Sequence, residues 1–328
     1  MAWLEIRGQQ LAVTMLQADL AKQRVAAAYL FAGPEGVGKR LAALELARAL
    51  ICEGGSGESC GQCDHCRRMQ RGVHPDLHLL VPQGSAKNIR IDDVRRMLER
   101  VHLRPFMARY QVVILDGAEC LTDEAGNLLL KSLEEPPAHA AFVLISAQPS
   151  ACLPTIVSRC KVVRFGRLSA QDLAALLTSQ QTCQPQTAQV VSRLAQGSLA
   201  KAAAQLQRWD ASRAMLAQFA SEQPVAWLEW PIPTDREAVS QWLDGAIAWL
   251  RDVAVAGAGG DTLLTDPQTA PQLQRQAAML DHERCVETAL RLVALSHSLD
   301  EQMISARLIG TLFREQWLSL VERETRNV

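Results

Sequence analysis

Apolar positions along this chain change character about halfway through. Between Gly8 and Arg24, Leu11, Met15 and Leu16 recur at helical spacing, and residues 26–32 (AAAYLFA) then form a short apolar run ending in glycine. That order predicts a helix, a buried strand and a turn. Helical period returns over residues 40–52, and a Gly- and Cys-rich stretch interrupts it as far as Met69. A strand-like run at 77–81, a polar loop through Gly84 and Lys87, and an amphipathic helix over 92–102 follow. Residues 111–115 (QVVIL) are β-branched and few enough to form a buried parallel strand, which ends on Asp116. Thr122 is a candidate N-cap, with Ala125, Leu128, Leu129 and Leu133 at helical intervals behind it, and Pro136-Pro137 stop that helix. Residues 142–145 read as a further strand. Alternation of helices with buried strands to about residue 165 predicts an α/β domain with a mostly parallel sheet.

Beyond Phe165 the strand signal fades, and helical patterns fill 170–177, 187–206 and the chain onward to 324. The uncharged tract 254–260, with Pro267 and Pro271 beyond it, predicts a loop between helices. Over 303–321 the apolar residues Ile304, Leu308, Leu312 and Trp317 share one helical side, as a core face or an oligomer contact would. The expected layout is an α/β domain over 1–165, a small helical domain over 166–208 and an all-α domain over 209–328. A chain of 328 residues is long enough for two or three such domains. Composition adds two exclusions. A formal net charge of -1 provides no global basic field to pull the chain onto nucleic acid. Glu5, Arg7 and Asp19 break the apolar core that a secretory signal needs, and no 18-residue uncharged apolar run follows, so a cytoplasmic protein without a membrane partner is expected.

The segment Gly33-Pro34-Glu35-Gly36-Val37-Gly38-Lys39 has G-x-x-x-x-G-K spacing directly between the 26–32 strand and the 40–52 helix. In that setting backbone N–H groups cradle phosphates and the lysine neutralises them. The next position should carry a hydroxyl for Mg²⁺, but it is Arg40, which has no lone pair to offer a cation. ATP or ADP binding is thereby in doubt. Asp116 stands where a second metal-site carboxylate would, at the end of the QVVIL strand. Gly117 follows it, and Glu119 is expected to point elsewhere.

Cys52, Cys60, Cys63 and Cys66 are separated by seven, two and two residues. Each C-x-x-C step can place two thiolates on one tetrahedral ion, and four sulfurs close the shell, so a structural zinc is expected ahead of an iron–sulfur cluster. His65, between two of these ligands, is expected to face solvent.

AYLFAGPEGVGK, the four-cysteine module, LTDEAGNLLLKSLEEPP and LPTIVSRC occur in an order that resembles the bacterial clamp-loader ATPases of the AAA+ class, over residues 1 to about 208. The resemblance implies a P-loop AAA+ domain (1–165) with an inserted zinc module (52–66), a helical lid (166–208) and a C-terminal collar (209–328). It also implies that Ser158-Arg159-Cys160 supplies an arginine finger in trans to a neighbour's ATP, with Cys160 a small buried residue. Gly197-Ser198-Leu199-Ala200 resembles the second sensor motif, with Ala200 in place of its arginine. A chain lacking the Mg²⁺ ligand, the glutamate after Asp116 and the sensor arginine resembles the non-hydrolysing members of that family. Its nucleotide residues Gly33, Gly36, Gly38, Lys39 and Asp116 would then be vestigial. The implied partners are the gamma/tau motor subunits and the delta subunit of a clamp loader, and, through the assembled complex, the sliding clamp and primer–template DNA. Two other readings stay open: an active ATPase working through Lys39 and Asp116, and a zinc-stabilised DNA-binding protein using Arg90, Arg95, Arg96, Arg100, Arg104 and Arg109. Asp92, Asp93 and Glu99 interleave with those arginines, as on a solvated helix face.

Overall fold

The computed structural model describes residues 2–54, 57–84, 88–207, 209, 235–300 and 305–321. The chain forms two compact units, residues 1–182 with 196–201, and residues 183–195 with 202–328.

The first unit is built on a five-stranded sheet in the order β2-β3-β4-β1-β5, every pair parallel. Its strands are β1 (Ala28–Ala32), β2 (Leu77–Leu80), β3 (Gln111–Asp116), β4 (Ala140–Ser146) and β5 (Lys161–Arg164). Each residue of β1 and β4 is buried, and in β3 all but Asp116. Such strands read as unbroken apolar runs because helices cover both faces of the sheet. Alternate side chains divide between two cores. Tyr29, Phe31, Val112 and Ile114 pack with helices α1 (Gln10–Ala21) and α2 (Lys39–Ile51). Leu30, Val113, Leu115, Phe142 and Leu144 pack with a helix over Ile91–Val101 and another over Asp123–Glu134.

Local signals explain where these helices begin and end. Thr122 Oγ1 accepts the Ala125 N–H at 3.3 Å, and the helix it caps ends at Glu134, just before the two prolines. Two features depart from the pattern of the sequence. In α1, Leu11 is 88% exposed and Met15 41%, while Ala12, Leu16 and Leu20 line up one turn apart against the core. The cysteine-rich stretch also contains a short helix, Asp64–Gln70.

The second unit is helical. Its helices Arg236–Gly257, Ala270–Met279, His282–Asp300 and Ala306–Val321 enclose Trp242, Leu243, Trp249, Leu250, Leu292, Phe313 and Trp317. The expected loop at 254–260 is instead helical as far as Gly257, because Ala254 and Ala256 face the core and so carry no charge; the turn comes only at Ala258–Gly260. The pattern over 187–206 is two helices, Pro185–Leu194 and Leu199–Gln207, parted by positive φ angles at Gln196 and Gly197. In the last helix the buried line is Ile309, Phe313 and Trp317: Trp317 is on the expected face, while Leu308 is half exposed and Ile309 and Phe313 take the inward positions in place of Leu308 and Leu312. Met303, Ile304 and Lys87 lie outside the described residues. Among the described residues no helix is long and apolar enough to cross a membrane.

A buried carboxylate ties the loop before β3 to the start of β2. Asp76, 1% exposed, accepts N–H groups from Phe106, Met107 and Ala108 at 2.6, 2.9 and 2.9 Å. Burial opposes its ionisation, yet the backbone donors prevail and hold its carboxyl below the ordinary range. A depressed carboxylate stabilises the fold above its unfolded pKa, and that stability is lost as pH falls through the folded value. Asp76→Asn is therefore expected to lower the chemical-denaturation midpoint at pH 7, by about 1–3 kcal/mol of stability. The gap from wild type should close in acid, below the usual carboxylate range of roughly pH 4; a gap independent of pH would remove this role.

Candidate functional site

Residues 33–39 connect the carboxyl end of β1 to α2, and a cavity of about 470 Å³ opens beside them. It is lined from the carboxyl ends of four elements: Gly36, Gly38, Lys39 and Arg40 after β1, Pro82 after β2, Asp116 and Glu119 after β3, and Ala147 after β4. Parallel sheets place their ligands at this edge, where loops and helix N-termini converge. Gly36 has φ +70°, and a β-carbon there would stand 2.6 Å from the Ala200 nitrogen. The Leu199 N–H donates to the Gly36 carbonyl at 2.9 Å, so the 197–200 segment lies directly on the loop. Ala200 brings no charge to that contact.

Lys39 is 6% exposed and curls back, its Nζ donating to the carbonyls of Gly33 and Pro34 at 2.5 Å each. Burial pulls its pKa down, opposed by Glu119, Asp116 and Glu35. Asp116 is pushed the other way by burial, opposed by Arg40 and Lys39. Arg40 Nη1 lies 3.6 Å from Asp116 Oδ2, so the residue in the metal-ligand position meets the very carboxylate that would share the metal. Gly36, Gly38, Lys39 and Asp116 thus meet at one cavity, and Gly33 contributes its carbonyl to Lys39.

Gly117 does more than omit a carboxylate. Its φ is +100°, and a β-carbon there would lie 2.8 Å from Pro82 Cγ, so a glutamate at this position would be strained. The same left-handed residue starts a short 3₁₀ turn, Ala118–Cys120, that brings Glu119 back to the cavity. Glu119 Oε1 accepts the Ala147 N–H at 2.9 Å. This overturns the expectation that Glu119 points elsewhere. The available signal was Gly117 itself, since a positive-φ glycine at a strand end reverses the chain.

The four cysteines converge. All four sulfurs lie within 4.8 Å of one another, with Cys60 and Cys66 Sγ 3.9 Å apart. Zn–S bonds of about 2.3 Å require sulfurs about 3.8 Å apart, so the residues fit a tetrahedral ion. Backbone N–H groups of Cys60, Cys63 and Cys66 point at Sγ of Cys52, Cys60 and Cys63, an arrangement that favours thiolates. His65 is not solvent-facing: it is 7% exposed, and its Nδ1 lies 2.9 Å from Nε2 of buried His74, whose Nδ1 accepts the Asp76 N–H. The helix carrying Cys66 is thereby joined to the start of β2.

Arg159 lies apart from this cavity, just before β5. Its Nη2 meets Glu134 Oε1 at 2.5 Å and its Nη1 donates to the Thr155 carbonyl at 3.0 Å, leaving the side chain 36% exposed. Ser158 Oγ donates to the same carbonyl, and Cys160 is half-buried against the core. Of the arginines weighed for DNA binding, Arg95 and Arg96 pair with Asp92 and Asp93 along their own helix, as a solvated face does.

A parallel sheet with a G-x-x-x-x-G-K loop at its carboxyl edge defines a P-loop α/β domain. Residues 8–169 match the sequence family described as DNA polymerase III, delta subunit. The delta' subunit of DNA polymerase III from Pseudomonas aeruginosa is 43% identical over 134 residues, 40% of this chain and 41% of that protein. Its counterpart in Bacillus subtilis is 38% identical over 181 residues, covering 55% and 54%. The tau subunit from Salmonella typhimurium is 35% identical over 201 residues, covering 60% and 31%. Residues 8–169 are thus similar to the DNA polymerase III clamp-loader family, that of the delta-prime and tau subunits. The matched stretch spans from about a third to about half of these relatives' own length.

The cysteine geometry has a direct check. Elemental analysis of purified protein is expected to find about one zinc per chain, and chelation to lower its thermal stability. Iron in its place, or no metal, would overturn the assignment.

Proposed function

We propose that this chain is the delta-prime subunit of a clamp loader, a cytoplasmic AAA+ subunit that does not hydrolyse ATP and offers Arg159 in trans to an adjacent gamma/tau motor subunit. The observation that carries this reading is the Arg40–Asp116 pair, which puts a guanidinium where catalysis needs a metal. Gly117 and Ala200 support it, since neither an activating carboxylate nor a sensor arginine stands in its usual place. Arg159 suits the trans role because a permanently charged planar fork stabilises the charge that accumulates in phosphoryl transfer. Residues 166–208 would act as the lid and 209–328 as the collar that joins motor and delta subunits. Contacts with the sliding clamp and primed DNA would come through the assembled loader, and zinc on Cys52, Cys60, Cys63 and Cys66 would be structural.

In a reconstituted loader, Arg159→Ala is expected to leave assembly intact and to lower DNA-stimulated ATPase by about 10³-fold at the one site it serves. Unchanged turnover at that site would remove the trans role.

One observation favours a second reading. Glu119 lines the cavity with Lys39 and Asp116, so a carboxylate is available near the phosphate loop for weak hydrolysis by the chain itself. An ATPase assay on the isolated subunit separates the two. No turnover above that of Lys39→Ala is expected, and robust turnover abolished by Lys39→Ala would establish the second reading.

A further inference from the structure

The residue after the P-loop lysine and the carboxylate at the end of β3 normally share one Mg²⁺ ion, which neutralises the phosphates of the bound nucleotide. Here the first of these is itself a cation. Arg40 Nη1 is 3.6 Å from Asp116 Oδ2, and the Arg40 side chain is 53% exposed at the cavity wall. Asp116 loses hydration at the end of a buried strand, and the tethered guanidinium supplies charge that a free metal ion would otherwise bring. A divalent ion would have to displace a partner held by the chain and would gain no hydroxyl ligand in exchange. The guanidinium meanwhile keeps further N–H donors, in the planar fork that matches a phosphate edge.

We propose that Arg40 stands in for the magnesium ion, so that the cavity takes a nucleoside diphosphate through its phosphates without any divalent cation. The proposal rests on reading this cavity as a degenerate nucleotide site and is independent of the role of Arg159. The cavity, about 470 Å³, has the size of a small-molecule site. Gly36 and Gly38 keep the loop's positive φ angles, and Lys39 remains beneath it. The carboxylates bound the choice of ligand. Glu35, Asp116 and Glu119 all line the cavity against Lys39 and Arg40, so a diphosphate suits it better than a triphosphate carrying one more negative group. Binding requires Lys39 Nζ to leave the Gly33 and Pro34 carbonyls for the phosphates, and no backbone rearrangement at Arg40.

Isothermal titration of ADP into the full chain, in EDTA and in excess Mg²⁺, tests this. Wild type is expected to bind in both, with Kd values agreeing within about threefold. Arg40→Thr restores a hydroxyl ligand and is expected to bind at least about tenfold more weakly in EDTA than in Mg²⁺. Arg40→Lys, which keeps the charge, is expected to retain metal-free binding. Lys39→Ala is expected to abolish binding in both buffers, which locates the ligand in this loop. Far-ultraviolet circular dichroism of each variant distinguishes loss of binding from loss of fold. Wild-type binding that strengthens about tenfold or more with Mg²⁺ would overturn the proposal, as would no ADP binding in either buffer. Neither result bears on the trans role of Arg159, which is read from the ATPase of the assembled loader.

Discussion

Strand β1 is the constraint on which the first unit depends. It is buried at every position and paired on both sides, with β4 and with β5. A strand hydrogen-bonded along both edges and covered on both faces has no freedom to shift, because a slip of one residue would exchange its two cores. Its carboxyl end is tied as well: the Gly33 N–H donates to the Ser146 carbonyl and the Phe165 N–H to the Ala32 carbonyl. The phosphate loop therefore leaves the sheet at one point and in one direction. The loops after β3 and β4 reach the same edge because all these strands run parallel.

At that edge, electrostatics sets what the fold can do. Burial works against the charge on both Lys39 and Asp116, so each is stabilised by the groups around it. Arg40 is one such group, and it pairs with Asp116 without disturbing strand or helix. Gly117 shows the same economy of change: the turn it permits removes one carboxylate position and brings Glu119 to the cavity three residues after Asp116. The sheet, the 33–39 loop and α2 thus keep their places, while Arg40 and Gly117 decide which charges stand at that edge.

The cysteine module and Arg159 depend on the fold in different ways. The four sulfurs come from a short stretch of chain, and their convergence needs little beyond local turns and the helix Asp64–Gln70. Their anchorage is tertiary, running from His65 to His74 and on to the N–H of Asp76, whose carboxylate holds the 106–108 backbone. Arg159 is set by a contact between elements, since Glu134 closes a helix that ends at two prolines and meets the guanidinium from there. A carboxylate at a helix C-terminus is unfavourable unless paired, and Arg159 is its pair.

Much of this was legible in the order of the residues. Strands β1, β3 and β4 appear as largely apolar runs because helices bury both their faces, and Thr122 and Pro136-Pro137 mark a helix by local hydrogen bonding and sterics alone. The phosphate loop and the cysteine spacing are local too, so sequence distance stands in for spatial distance. What the tertiary structure alone decided was direction and partnership. Which face of α1 and of the last helix turns inward depends on what lies opposite, not on period. The tract at 254–260 is part helix, with Ala254 and Ala256 buried, and part exposed turn, which composition cannot separate. His65 is buried by His74, Glu119 is returned to the cavity by a left-handed glycine, and Arg40 finds Asp116 across 76 positions of chain. Each of these is a contact between segments far apart in sequence, or a backbone turn, and neither leaves a periodic trace.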